Sequence, residues 1–225
     1  MSEAETRRGS KADQVYNDLK EDILSGALEP GAAIDKLALC ERLGVSRFPV
    51  SSAINRLAYE RLVAIEPQHG SFVAKISVDD VRELMMVRRA LEAEIAAQAA
   101  QRLPREGVED LERNLRYQQA AVDARDFAGF YALDVEFHRL LTTHLEMVRT
   151  GEILDGLRSH LERVRRLLMT PPGRMPKTYA EHSAVAKAIA RGDSEGARTA
   201  MRDHLAETTR LFENFAKDRP NLFSS

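Results

Sequence analysis

The sequence predicts a mainly α chain: an N-terminal winged helix-turn-helix of three helices plus a small β-hairpin, followed by an all-α antiparallel helical bundle. Three observations predict it. Apolar residues recur at helical spacing through most of the chain. Two short strand-like runs, Leu62–Glu66 and Ser71–Lys75, stand together around Pro67, His69 and Gly70. Beyond residue 77, only Pro104, Gly151, Pro171-Pro172-Gly173 and Gly192-Asp193 interrupt the helical pattern.

The elements follow in order. Residues 1–10 are polar and charged and read as a disordered tail. Gln14–Leu24 is an amphipathic helix with Val15, Leu19 and Ile23 on one face; Gly26 ends it and Pro30-Gly31 makes a turn. Ile34–Leu43 is a second helix, and Gly44-Val45-Ser46 a tight turn. Ser46 suits an N-cap, and Pro49 falls in the first turn of a third helix that runs to Glu60, where proline is tolerated. The strand pair closes a first domain at residues 11–76. A short turn of this kind holds the third helix where its N-terminal half can enter a DNA major groove, with the hairpin beside it.

Residues 77–225 then read as helices over about Asp79–Arg102, Glu106–Ala124, Phe127–Met147, Gly151–Met169, Pro176–Ala190 and Ser194–Lys217. No strand pattern is visible there, and the short connections favour an antiparallel bundle.

Composition sets the outer limits. The chain has 225 residues, 44% apolar and 30% charged, ample for a real core in one or two domains. No apolar run approaches membrane-spanning length, and the N-terminus lacks a signal-like apolar stretch, so a cytoplasmic protein with no membrane role is expected. A single cysteine, Cys40, excludes an internal disulfide and a multi-cysteine zinc site, and its place in an apolar helical pattern suggests a buried small hydrophobe. Net charge is −2, so the chain as a whole does not advertise nucleic-acid binding. Locally, Lys36–Lys75 carries six Lys/Arg against three acids, a modest basic bias.

Four polar residues lie on core stripes of the bundle. One stripe reads Phe127, Tyr131, Asp134, His138, Leu141, Leu145; another Tyr179, His182, Ala186, Ile189; a third Ala197, Met201, His204, Thr208, Leu211, Phe215. Asp134, His138, His182 and His204 therefore all point inward, where an unpartnered imidazole or carboxylate costs several kcal/mol. One carboxylate and three imidazoles suit a divalent transition metal, zinc first, with nickel or manganese as alternatives. A set of structural hydrogen bonds is the competing reading for any one of these histidines. Arg88, on the stripe Val81, Leu84, Arg88, Leu91, Ile95, is a fifth misfit. It needs an anion, either Asp134 or Glu92 from the chain itself or the carboxylate of a small organic acid.

These residues resemble the GntR family of bacterial regulators, in the FadR-like subfamily with the all-helical FCD ligand domain. The likeness runs from Gln14 to Phe215. In the first domain it rests on Leu43-Gly44-Val45-Ser46-Arg47, Pro49-Val50 and Gly70-Ser71-Phe72-Val73. In the second it rests on Val87-Arg88-Arg89-Ala90-Leu91-Glu92, Asp134-Val135-Glu136-Phe137-His138, Glu181-His182 and Met201-Arg202-Asp203-His204-Leu205. The resemblance implies metal binding at Asp134, His138, His182 and His204, a small carboxylate effector in the adjacent cavity, and a homodimer on a palindromic operator. Three departures stand out. Ser51 and Leu37 occupy positions where the family carries arginines, and Phe48 replaces a threonine, so operator affinity would be lower or would lean on Arg7, Arg8 and Lys11.

The expected function is therefore a transcriptional regulator, of repressor type, binding an inverted repeat of double-stranded DNA. Arg47 would read guanine, Ser46, Ser51, Ser52 and Asn55 would add base or backbone contacts, and His69 and Gly70 would touch DNA from the wing. A metalloenzyme is the rival, but neither His-Glu-x-x-His nor paired Glu-x-x-His motifs occur. A regulator whose metal only braces the bundle is the second.

Overall fold

The computed structural model describes residues 10–169 and 173–224. The expected tail lies outside these residues except for Ser10, which caps the first helix in a reciprocal capping box with Asp13. The chain divides into two compact units: residues up to Ile76 together with Pro220–Ser224, and Ser77–Arg219.

The N-terminal unit holds helices α1 (Lys11–Leu24), α2 (Lys36–Leu43) and α3 (Arg47–Tyr59), then strands β1 (Val63–Glu66) and β2 (Gly70–Val73). Val15, Leu19 and Ile23 of α1 pack with Val50, Ala53, Ile54 and Leu57 of α3, and full burial of each larger aliphatic contributes about 1.5–3 kcal/mol. Asp35 rather than Ile34 starts α2, because its carboxylate accepts from the backbone N–H of Leu37 and Ala38. Gly44 ends α2 at φ 60°, a left-handed turn that sets up the step into α3. A polar clamp locks α1 to α3. Glu60 accepts from Lys20 at 2.7 Å and from the Tyr16 hydroxyl, while the Arg56 guanidinium lies 3.9 Å from the Tyr16 ring centre and donates to Asp13.

β1 and β2 are antiparallel in the register Val63↔Val73 to Glu66↔Gly70. The turn between them needs left-handed backbone at Gln68 and Gly70. The segment before α2 adds a third edge, with Ile34 N–H donating to Ser71 O and Val73 N–H to Ala32 O. The wing is thus tied to the body through backbone bonds as well as through buried Val63 and Val73. Cys40 is half-buried against this core rather than fully buried.

The second unit contains α4 (Val78–Arg102), α5 (Arg105–Ala124), α6 (Phe127–His144), α7 (Val148–Met169), α8 (Arg174–Ala190) and α9 (Ser194–Asp218). Side-chain caps start α4, α6 and α9: Ser77, Asp126 and Asp193 accept from Asp80, Gly129 and Gly196 backbone N–H groups. The break expected at Gly151 falls earlier. Glu146 takes a left-handed φ of 56° after α6, and Gly151 lies inside α7. Phe127, expected in the core, is largely exposed, because the buried face of α6 is set by Phe130, Asp134, Phe137, His138 and Leu141. One strand does occur after the boundary: β4 (Phe223–Ser224), paired with β3 (Ile76–Ser77). Ile95, Leu111, Phe137, Leu154, Val185, Met201 and Leu205 form the bundle core, gathered from α4 through α9. No helix among the described residues is long and apolar enough to cross a membrane.

Candidate metal centre and DNA-facing surface

Three helices bring the four predicted polar residues together. α6 supplies Asp134 and His138 one turn apart, α8 supplies His182 and α9 supplies His204. All four are buried, and one ligand atom from each lies within 4.8 Å of the others. Ligands held at about 2.1 Å from one ion stand up to about 4.2 Å apart, so a small inward movement would complete a shell. The imidazole rings form a triangle with centre-to-centre separations of 5.2, 5.3 and 4.6 Å. Phe137 stacks on His182 at 4.1 Å and fixes its plane.

The orientation of each ring is set from behind. His182 Nδ1–H donates to Gln118 Oε1 at 3.0 Å. That amide cannot turn over, because Gln118 Nε2 donates to Asn114 Oδ1, and Asn114 Nδ2 donates to the Leu133 carbonyl, which only accepts. His204 Nδ1–H donates to Glu181 Oε2 at 2.7 Å, and Arg174 grips the same carboxylate with both terminal nitrogens at 3.2 and 3.1 Å. His138 Nδ1 meets Glu92 Oε2. Glu92 in turn accepts from Arg88 Nε at 2.7 Å. With Nδ1 of His182 and of His204 hydrogen-bonded from behind, and Nδ1 of His138 in contact with the Glu92 carboxylate, Nε2 is the nitrogen each imidazole has left for the interior. His138 Nε2 and His182 Nε2 are buried without a hydrogen-bond partner, and His182 Nε2 stands 3.5 Å from Asp134 Oδ1. The other carboxylate oxygen of Asp134 is held by Arg165.

Electrostatics keep these atoms in the form a cation needs. Burial holds His138 below the ordinary imidazole range and His182 and His204 well below it, the last two also by mutual repulsion with neighbouring imidazoles. The rings are therefore neutral, with a lone pair on Nε2. Burial pushes the Asp134 carboxyl upward, but the Arg165 guanidinium beside it acts against burial, and the carboxyl stays well below the usual carboxylate range. Glu92 is likewise held low by Arg88 and His138 against its burial. Donor set, convergence and protonation all fit a divalent transition metal.

Beside the cluster lies a narrow cavity lined by Arg88, Asp134, Arg165, Leu168, Arg174, His204 and Thr208. Its free space is about 10 Å³, room for about one water. Arg88 faces it with Nη2 unpartnered while Nε stays on Glu92, so the chain-internal anion anticipated for Arg88 is Glu92, not Asp134. Of the remaining histidines, His144 contacts Asp110 and His160 is exposed, both away from the cluster.

The residues expected at DNA lie in the other unit. Ser46, Arg47 and Asn55 are exposed on α3, Ser51 and Ser52 are partly exposed, and His69 and Gly70 are exposed in the β1–β2 turn. Ser46 is the N-cap by position, but its hydroxyl makes no cap hydrogen bond.

Sequence reasoning missed the outer ring of the centre: Gln118, Asn114, Glu181, Arg165 and Arg174. The signal was present. On α7, Leu154, Arg158, Leu161, Arg165 and Leu168 alternate at steps of four and three, placing two arginines on a buried face. On α5, Leu111, Asn114, Gln118 and Ala121 do the same with two amides.

Comparison with known proteins agrees with this architecture. Residues 11–73 match the model of the bacterial regulatory proteins of the gntR family, and residues 83–207 match the FCD domain. The chain is 30% identical over 94% of its length to the HTH-type transcriptional repressor RspR of Escherichia coli K12, covering 92% of that protein. It is 31% identical over 99% of its length to an HTH-type transcriptional regulator from an unstable DNA locus of Streptomyces ambofaciens, covering 93% of it. Among solved structures, E. coli McbR/YncC superposes with a TM-score of 0.72 at 23% identity, over 92% of this chain and 99% of that one. A putative GntR regulator from Rhodococcus sp. RHA1 superposes with a TM-score of 0.74, also at 23% identity, over 92% and 99%. A gntR-type helix-turn-helix joined to an FCD domain, with such relatives along nearly its whole length, makes this chain a member of the GntR family of transcriptional regulators and not an enzyme.

Proposed function

We propose that the chain is a cytoplasmic, homodimeric repressor whose residues 11–76 bind a short inverted repeat of double-stranded DNA, and whose residues 77–225 form an effector domain. Asp134, His138, His182 and His204 hold one divalent metal, zinc first and nickel or manganese as alternatives, since a mixed carboxylate–imidazole shell discriminates little among them. The observation that carries this reading is the convergence of one ligand atom from each of Asp134, His138, His182 and His204 within 4.8 Å, all four buried, with Nδ1 of His182 and His204 hydrogen-bonded from behind and that of His138 against Glu92. Hydrogen bonding alone would leave no reason for two buried Nε2 atoms without partners.

When bound, the ion would cross-link α6, α8 and α9 and offer positions to oxygen donors. Arg88, with Nη2 free at the cavity, supports recognition of a small organic acid there. α4 carries Arg88 and begins directly after the DNA-binding unit, so a change in how Arg88 is held would be transmitted along one helix. On the DNA side, Arg47 opens α3 and reads guanine, with Ser46, Ser51, Ser52, Asn55, His69 and Gly70 adding contacts.

Native mass spectrometry tests the assembly and the metal together. The expected result is a dimer carrying one ion per chain, reduced in His182→Ala; full occupancy in that variant would remove the assignment. A thermal-shift screen of hydroxy-, keto- and dicarboxylic acids tests the effector, with hits expected to stabilise wild type more than Arg88→Ala and to release DNA. A second reading, a metal that only braces the bundle, is favoured by the small free space beside the cluster. It predicts that no acid in the screen shifts the wild-type melting curve.

A further inference from the structure

Phe48 is 81% exposed, although it sits in the first turn of a helix whose Pro49, Val50, Ala53, Ile54 and Leu57 are all buried. The outer face of α3 reads Phe48, Ser52, Asn55, Tyr59, at steps of four, three and four, with Ser51 beside it. No acidic residue occurs between Arg47 and Tyr59, so the face complements a polyanion. Arg56 is drawn away from it by Asp13 and the Tyr16 ring. The next large apolar group on the face, Tyr59, is three turns away, roughly 16 Å along the helix axis. Along α3, Phe48 is therefore a single exposed ring among hydroxyls, an amide and a guanidinium, and Leu37 of α2, 55% exposed, is a further large apolar side chain that this helix pair leaves at the surface. A protein interface is built around a contiguous apolar patch, which the outer face of α3 does not form by itself. A duplex edge suits it better, because the major groove is lined mainly by hydrogen-bonding groups and the thymine C5-methyl is its largest apolar group.

We propose that Phe48 is a specificity-determining residue that packs on a thymine methyl next to the base pair met by Arg47. The proposal rests on the reading that the outer face of α3 meets DNA, and adds to it a preference for thymine over cytosine, or over any base lacking the methyl, at one position of each half-site. The ring supplies shape and apolar contact, while Ser51, Ser52 and Asn55 supply hydrogen bonds to neighbouring edges.

The test uses the full-length protein and a duplex selected by it from a random-sequence library. Each thymine of that duplex is replaced in turn by deoxyuridine, which removes only the methyl. Affinities are then measured by fluorescence anisotropy for wild type, Phe48→Ala and Phe48→Leu. Losing one buried methyl should weaken wild type about fourfold at one thymine per half-site. Phe48→Ala should show no loss at that thymine, and Phe48→Leu a partial one. Because Phe48 is exposed, both variants should keep the wild-type melting temperature. Wild type indifferent to deoxyuridine everywhere, or Phe48→Ala keeping the fourfold loss, overturns the proposal and leaves the DNA reading of α3 intact. A Phe48→Ala chain that sediments as a lighter species, with an unchanged deoxyuridine pattern, assigns the ring to a contact between protein chains instead. Failure to enrich any duplex defeats the proposal together with the reading it rests on.

Discussion

The histidine cluster and the outer face of α3 are both polar, but they are held in opposite ways. In the cluster each imidazole has one nitrogen fixed by an outer partner, each partner is itself gripped, and burial keeps the rings neutral. On α3 the side chains stand at the surface, Tyr59 at 92% exposure and Phe48 at 81%. The cluster's ordering cost is met during folding, so its members are bound up with stability. The α3 side chains lose their rotamer freedom only when a partner arrives, so their removal should register in binding alone. The comparison therefore separates two classes of substitution.

The sharpest way to break it is Asp134→Ala. Arg165 would lose its buried carboxylate, and removing one member of such a pair costs about 3–5 kcal/mol. Urea unfolding should show a loss of that size. A loss below about 1 kcal/mol would mean that the Arg165 pair holds little of the fold together.

Acid should act on the same groups. His138, His182 and His204 resist protonation in the folded chain, whereas the unfolded chain takes up protons at about pH 6.5. Their contribution is present above that pH and is lost as the pH falls below it. The melting temperature of the chelator-treated protein should fall steadily from about pH 6.5 downward, and His182→Ala should flatten the slope. A profile unchanged by that substitution would contradict the assignment.

Gln118→Leu probes the support behind the site. It removes the acceptor of His182 Nδ1–H without touching Asp134 or any imidazole. Metal affinity, measured by competition with a chromophoric chelator, should drop about 10–100-fold, the usual effect of removing such an orienting partner. Unchanged affinity would mean that packing against Phe137 alone orients the ring.

Arg47→Ala should do the reverse of these. It should cost roughly 1–3 kcal/mol of sequence-specific DNA binding in a mobility-shift series and leave the melting temperature where it was. A variant that binds operator as well as wild type would move base reading elsewhere on the face. Tyr59→Ala, three turns further along α3, should be smallest, within about 0.5 kcal/mol on stability. A larger loss would show that this end of α3 is covered in solution.

How much of this was legible in the sequence follows the same division. Periodicity placed each α-helix among the described residues to within a few residues, because most stripes have one face to bury, but it did not announce the short 3-10 turn at Pro220–Leu222. It missed the α6–α7 break, where left-handed Glu146 ends the helix with no glycine or proline to announce it. Asp134, His138, His182 and His204 stood out as polar residues on apolar stripes, so the inner ring could be read directly. The outer ring was harder. Arg165 and Gln118 sit on equally regular stripes, but arginine and glutamine are common on helix surfaces and attract no notice. The pairing of Gln118 with His182 depends on how α5 packs against α8, which no local pattern encodes. Phe48 was visible as an unusual residue at the head of α3, and only its exposure showed that no part of its own fold accounts for it.

The four inner residues come from α6, α8 and α9, and three helix connections lie between Asp134 and His138 on α6 and His204 on α9. A site assembled from such distant segments does not exist until those helices have docked, so it is expected to form after the folding transition state, and a refolding rate unchanged by His182→Ala would check this. Interactions absent from the transition state leave the refolding rate alone and slow the unfolding rate. A cation held there would act as a bolt shot after the door has closed. Loss of such a cation would then shorten the lifetime of the folded chain, and with it the time before a protease finds an open chain, while newly made chains would reach the native state as quickly as before.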